Sequence, residues 1–345
     1  MMKRLALLFA VLLVLTNSAI TLAAVDITPY IEQAVSDLKI ERNDPRLLAL
    51  TNAPYVSPDG KKNPESVDAI QTLTGCSMGK GNLLFFQRPR NSPLLIALSR
   101  EDNGETVVIK YDGKGVRIFK FNIKNDTAAD PKNFGAIQKQ LKGDTFTIVT
   151  LLTSHAKGTP YDFLKCCEYH NHYCPGITSG YLIAKYIEKH YPAGPGLRYI
   201  WFACPPWCKD DAVSTVLDLT PGKGNLFVKN MAEGRSIEGP DGRFAGIMVL
   251  WNGAEKKGKA VVLQFDWNEV YRLAGVTVDD FSPKGGKSNP AFFTVRVLSS
   301  WALIPYLDQP EKFIKTFETV DIDAKALKRM KAAGTDPYEV VGVAK

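Results

Sequence analysis

The sequence predicts an α+β fold made twice over: two homologous halves, each combining helices and strands. Three observations carry this. Residues 68–83, DAIQTLTGCSMGKGNL, recur as residues 211–226, DAVSTVLDLTPGKGNL, at a constant offset of 143. Each copy reads as a short helix, a glycine turn and a strand, and self-similarity at a fixed spacing marks a duplicated unit. Around both copies, apolar runs rich in β-branched and aromatic residues alternate with stretches of helical spacing, so strands and helices interleave.

Taken in order, Lys3 and Arg4 precede an apolar core at residues 5–15, and the small residues Thr21, Ala23 and Ala24 suit cleavage. Residues 1–23 are therefore expected to be a signal peptide. The run is too short to span a bilayer, and no later segment is long and apolar enough to do so. The mature chain is expected to be secreted or periplasmic, without stable membrane insertion. Residues 24–153 form a first, degenerate repeat, residues 154–310 a second that carries most of the His and Cys, and residues 311–345 a C-terminal helical tail.

In the first repeat, residues 29–40 read as a helix. The apolar run 47–50, followed by Pro54, corresponds to the run 199–202, followed by Pro205 and Pro206. Strands are expected at 83–86 and 226–229 after the two glycine turns, and at 94–98, 106–111 and 116–121, a meander separated by Gly and Asn turns. The β-branched run 145–152 reads as a buried strand. Later strands are expected at 246–251, 260–265 and 294–298, with a short helix at 266–273 and a Gly/Ser/Pro-rich loop at 279–290. Residues 311–317 and 324–333 read as helices.

The chemistry concentrates at Cys166-Cys167-Glu168-Tyr169-His170-Asn171-His172-Tyr173-Cys174-Pro175-Gly176, in a chain with four His and six Cys. Pro175 and Gly176 open an amphipathic run, Ile177, Gly180, Ile183, Ala184, Ile187, with the spacing of a buried helix face. Pro suits the first helical position, where its missing N–H costs nothing. Cys174 then falls at the N-cap, where free N–H groups and the helix dipole favour a thiolate. A thiolate beside two imidazoles suits a transition metal.

Hydrophobic residues make up 45% and charged residues 23%, which excludes a disordered chain. The net charge of +7 is spread out and indicates no nucleic-acid surface. Five of the six cysteines fall between positions 166 and 208. An oxidising compartment allows disulfides, and Cys166, Cys167 and Cys204 are the candidates: the adjacent pair Cys166-Cys167 is not easily joined to itself and is expected to bridge elsewhere, with Cys204 as a partner. The glycine turns are not phosphate cradles. Only three residues separate Gly75 from Gly79, Gly81 stands where a Mg²⁺-binding Ser or Thr is needed, and a strand follows instead of a helix.

The stretch His170-Asn171-His172-Tyr173-Cys174-Pro175-Gly176, with Gly180-Tyr181 after it, resembles the signature of the FmdE-like family, which takes its name from formylmethanofuran dehydrogenase. Cys208 with Asp211-Ala212, and the turn Gly222 to Leu226, look like that family's second signature, and residues 68–83 are a closer copy of it. The resemblance implies helices packed on a mixed β-sheet in each half, pairing as dimers so that the two halves here are arranged as a pseudo-dimer, and zinc or a similar metal at the His/Cys cluster. The family name does not assign a formylmethanofuran activity to this chain. The first copy lacks the His/Cys signature, and the second has Leu219 where the first has Cys76. If the halves pair as a dimer does, one composite metal site is expected, from His170, His172, Cys174 and Cys208 with Cys76 contributed by the other half.

Asp211, early in its helix, is a candidate to orient a histidine; Lys80, Lys223 and Tyr181 are candidates to meet a ligand. Non-covalent heme or another metallated macrocycle remains open, with His170 or His172 axial and Tyr169, Tyr173, Tyr181, Trp201 and Trp207 as lining. The expected function is a transition-metal-binding protein, zinc-like, for metal handling or for binding a small molecule or metallated cofactor. Two alternatives stand beside it: a metal- or thiol-dependent enzyme using the same site, and a disulfide-stabilised binding protein. A homodimer is compatible with all three.

Overall fold

A computed structural model of the chain describes residues 25–124 and 128–343. The expected signal peptide, residues 1–23, lies outside the described residues. The first half runs through helix α1 (Thr28–Asp37), strand β1 (Leu47–Thr51), helix α2 (Glu65–Thr74), strand β2 (Leu83–Phe85) and the meander β3 (Leu94–Arg100), β4 (Glu105–Tyr111) and β5 (Val116–Asn122). Helices α3 (Pro131–Leu141), α4 (Thr145–Ala156) and α5 (Tyr161–Tyr169) follow. The second half repeats the plan with α6 (Pro175–His190), β6 (Leu197–Ala203), α7 (Lys209–Val216), β7 (Leu226–Val228), a short β8 (Glu238–Gly239), β9 (Gly242–Asn252) and β10 (Lys257–Phe265). Then come α8 (Trp267–Ala274), α9 (Ala291–Leu303), β11 (Ile314–Asp323), α10 (Ala324–Lys331) and α11 (Pro337–Val340).

The two sheets have the same topology. One runs β2-β1-β3-β4-β5 and the other β7-β6-β9-β10-β11, with β8 paired to the side of β9. In each, the first pair is parallel and the following ones antiparallel. The repeated Gly-Lys-Gly-Asn-Leu turn explains the parallel pair. Gly81 (φ +75°) and Gly224 (φ +66°) take the left-handed conformation open to glycine. The asparagine that follows closes the turn with its side chain, accepting from Ser77 N at 3.0 Å and from Thr220 N at 2.9 Å. Its carbonyl starts the ladder, accepting from Ala49 N (2.9 Å) and Trp201 N (2.8 Å).

Strand alternation sorts the core into layers. Leu47 and Ala49 face α1 and α2, while Leu48 and Leu50 point the other way, into a cluster with α3, α4, α5 and the start of α6. On the second sheet, Trp201 and Ala203 pack against α6 and α7, and Ile200 and Phe202 against α10 and α11. The helices α3 to α7 and α9 thus form a middle layer between the two sheets. The His/Cys stretch lies in this layer. No helix among the described residues is long and apolar enough to cross a membrane.

Three expected elements are corrected. Residues 145–152 belong to helix α4, and residues 294–298 to helix α9, where strands were expected. Both lie in the middle layer; α4 is buried along most of its length, so no face stays polar to reveal a helical period, and in α9 Val295 and Val297 alternate with Arg296 as in a strand. Their hydroxyls return to the preceding turn: Thr150 Oγ1 donates to Phe146 O (2.6 Å), Thr153 to Val149 O (2.7 Å) and Ser299 to Val295 O (2.8 Å). The expected helix at 311–317 is a single turn, Pro310–Lys312, leading into β11. The stretch expected as a helical tail therefore supplies the outermost strand of the second sheet, because Thr316, Thr319, Val320 and Ile322 favour strand and pair with β10.

Candidate metal centre

The site is assembled by a turn, by tethers to distant parts of the chain and by a helix cap. Helix α5 ends at His170, and Asn171 turns the chain back with a left-handed backbone (φ +65°). That turn is pinned to the open edge of the first sheet: Glu168 Oε1 accepts from Phe85 N (3.1 Å) and Asn171 Oδ1 from Gln87 N (2.6 Å). Tyr173 N donates to Thr150 Oγ1 (3.1 Å), which brings the chain to α6. There Cys174 is the N-cap, its sulfur accepting from Ile177 N at 3.4 Å.

Cys208 arrives from the other side, at the start of α7. Its loop is fixed by Asp210, which accepts from Trp201 Nε1 (2.7 Å), Trp207 N (2.9 Å) and Lys209 Nζ (2.8 Å). Lys209 is fully buried, and its ammonium also donates to Pro205 O at 2.9 Å. A buried charge is tolerable when paired and hydrogen-bonded in this way. Close approach of α6 to α7 needs glycine. A Cβ at Gly180 would lie 1.9 Å from Lys209 O, and one at Gly176 would lie 2.9 Å from Cys208 Cβ.

The outcome is convergence. His170, His172, Cys174 and Cys208 each bring one donor atom to within 4.8 Å of all the others. Cys174 Sγ lies 3.9 Å from His170 Nε2, and the two imidazole centroids are 4.3 Å apart. Donors around a tetrahedral ion with Zn–S of about 2.3 Å and Zn–N of about 2.0 Å lie roughly 3.3–3.8 Å apart. A small contraction therefore fits the four residues to such an ion. Asp211 accepts from His170 Nδ1 at 2.6 Å, which leaves Nε2 to face the cluster.

Electrostatics favour the deprotonated sulfur. A hydrogen bond from the Cys174 thiol, assisted by His170 and His172 against the penalty of burial, brings Cys208 down to about 2. The same Cys208 thiolate, together with burial, pushes Cys174 up. His170 is raised to about 9: burial opposes its charge, but Asp211 and Cys208 outweigh it. Burial pushes His172 down, toward the neutral imidazole that a metal accepts. The metal-free pair of sulfurs thus shares one proton.

The remaining expected site residues lie elsewhere. Cys76 is buried in the core beneath α1 and α2, its sulfur 3.6 Å from Leu47 O. The first sheet stands between it and the middle layer, so the composite site with Cys76 is not formed. Lys80 donates to Gly75 O (2.7 Å) and Asn43 Oδ1 (2.8 Å), closing the end of α2, and Lys223 pairs with Asp218 at the equivalent place. Neither faces the cluster. Tyr181 stacks on Phe163 (4.5 Å) and donates to Asp162 Oδ2 (2.9 Å). All six cysteines are free thiols. Cys166 and Cys167 lie in the middle layer and Cys204 on the far face of the second sheet, so the expected bridge from that pair to Cys204 is not formed. Burial pushes the thiols of Cys166 and Cys204 up to about 12.

Sequence reasoning missed Glu168 and Asn171 as tethers, and Gly176 and Gly180 as spacers. The glycines carried a signal: glycine inside a helical run points to close packing. It also missed the aromatic residues of α8 and α9 beside the cluster. Of the aromatics expected to line a pocket, Tyr173, Tyr181 and Trp201 are core, Tyr169 is half-exposed, and Trp207 lines the cleft next to the site.

Comparison with known families agrees with the duplication. The model of a family described as FmdE, Molybdenum formylmethanofuran dehydrogenase operon, matches residues 32–148 and again residues 169–288. No curated protein matches the chain at a significant level.

Proposed function

We propose, starting from the fact that this chain belongs to the FmdE family, that it is an extracytoplasmic transition-metal-binding protein holding its ion at the second repeat. The observation that carries the reading is the meeting of two imidazoles and two thiols, with all four donor atoms within 4.8 Å of one another. Two nitrogens and two sulfurs are the donor set of zinc and similar borderline-soft divalent ions. His170 and His172 would hold the ion through nitrogen, Cys174 and Cys208 through sulfur, with Asp211 orienting His170.

A shell of four protein donors suits holding an ion, whereas activation of water needs an open position. Four converging donors also leave no plane for a macrocycle, whose iron takes protein ligands on its two axial sides. The task is metal handling, or presentation of the ion to a small molecule in the adjoining cleft. The extracytoplasmic location rests on Lys3, Arg4 and the apolar run after them; N-terminal sequencing of exported protein tests it.

The test of the site is elemental analysis of protein purified from its own compartment. About one ion per chain is expected in the wild type, with loss in Cys174→Ser and Cys208→Ser. Full occupancy in Cys174→Ser overturns the reading.

A further inference from the structure

Beside the His/Cys cluster lies a cleft of about 610 Å³, and His172, Cys174 and Cys208 form part of its wall. That size is ordinary for a small-molecule site. The rest of the wall is strongly aromatic, with Trp207, Trp267, Tyr271, Phe281, Phe292 and Phe293. Its charged side chains are Arg243, Lys287 and Arg296, and no Asp or Glu lines it.

The three cations differ in state. Arg243 is already neutralised by Glu238 at 2.6 Å. Lys287 is exposed to solvent. Arg296 is half-buried and fixed: its guanidinium carbon sits 3.5 Å from the centroid of Phe292, and it donates to Phe292 O (2.6 Å) and Phe281 O (3.2 Å). No carboxylate among the described residues pairs with it. A fixed, partly desolvated guanidinium on a wall that holds no carboxylate is an arrangement that calls for an anion.

A bare inorganic anion would leave the aromatic wall unused, and a neutral aromatic would leave Arg296 uncompensated.

We infer that the cleft binds a small planar carboxylate, an aryl or conjugated organic acid, with its ring among the aromatic side chains and its carboxylate on Arg296, next to the metal centre. The inference rests on the metal-binding reading above in one respect, that the carboxylate lies beside a bound ion.

The experiment uses the full chain loaded with zinc and follows tryptophan fluorescence during titration with benzoate, 1-naphthoate and the neutral 1-naphthamide, with metal content measured in every sample. The expected result is binding of 1-naphthoate about tenfold or more tighter than 1-naphthamide. Arg296→Gln removes that preference while leaving amide binding in place, and Arg296→Lys restores part of it. The acid-to-amide ratio in the wild type needs no variant, so a misfolded Arg296→Gln does not spoil the test. Equal binding of acid and amide, or binding of neither acid at millimolar concentration by zinc-containing protein, overturns the inference and leaves the metal reading standing. Protein that takes up no zinc yet prefers the acid overturns the metal reading and the stated dependence on it.

Discussion

Gly180→Ala is the sharpest test of how the site is built. Two effects of the added methyl oppose each other. Inside a helix, alanine is favoured over glycine by about 1 kcal/mol, so an open position would gain stability. At this position the methyl would fall 1.9 Å from Lys209 O, whereas carbon rests against a carbonyl oxygen at about 3.3 Å or more. Helices α6 and α7 must therefore part by about 1.4 Å. Overpacking of that kind costs about 1–3 kcal/mol, so the clash outweighs the propensity. The displacement does not stay local. Lys209 directly follows Cys208, and metal–ligand distances tolerate only about 0.2 Å. Affinity for zinc should fall on the order of 10–100-fold, measured by chelator competition, and the metal-free protein should melt at lower temperature. Gly79→Ala is the control, since a Cβ there meets nothing within 4 Å. Zinc affinity of Gly180→Ala within about threefold of the wild type would refute the idea that the spacing of these helices sets the site.

Asp211→Asn should weaken zinc binding by about 10–100-fold, because His170 loses the carboxylate that orients its ring; unchanged competition titrations would contradict this. Zinc affinity of the wild type should climb as pH rises toward about 9, the value to which His170 is raised, because the ion must displace a proton from Nε2. The climb should be shallower in Asp211→Asn, where that proton is held less tightly. Cys76→Ser should keep its zinc while losing on the order of 1 kcal/mol of stability from a polar group placed in the core; loss of metal would restore Cys76 to the site. Alkylation of denatured, metal-free protein without reductant should label six cysteines, in line with six free thiols, and any blocked pair read by mass spectrometry would show a bridge.

The repeat, its helix–turn–strand unit and the four clustered donors were legible because each rests on local signals. The Gly-Lys-Gly-Asn-Leu turn repeats verbatim, and three of the four donors sit within five residues of one another. What was misread lies where local pattern carries no information. Helix α4 is enclosed along most of its length and rich in β-branched residues, and α9 alternates Val295 and Val297 about Arg296, so both stretches suit a strand equally well. Cys76 aligned with the second signature, and alignment says nothing about which face of a sheet a side chain occupies. One residue of register decides that, and here it put the sulfur on the far side. The tethers Glu168 and Asn171 act on backbone groups of residues 85 and 87, a contact made across more than eighty positions that no short pattern announces.

Those tethers give the donor-less half a task. The exposed rim of β2 would ordinarily invite another chain to dock, and here it is occupied by the very turn that delivers His170 and His172. Within one polypeptide, the half without ligands thus serves as a mould against which the other's are cast. A proline replacing Phe85, which deletes the N–H that Glu168 grips, would be felt at the imidazoles as well as in the core that the Phe85 ring helps to fill.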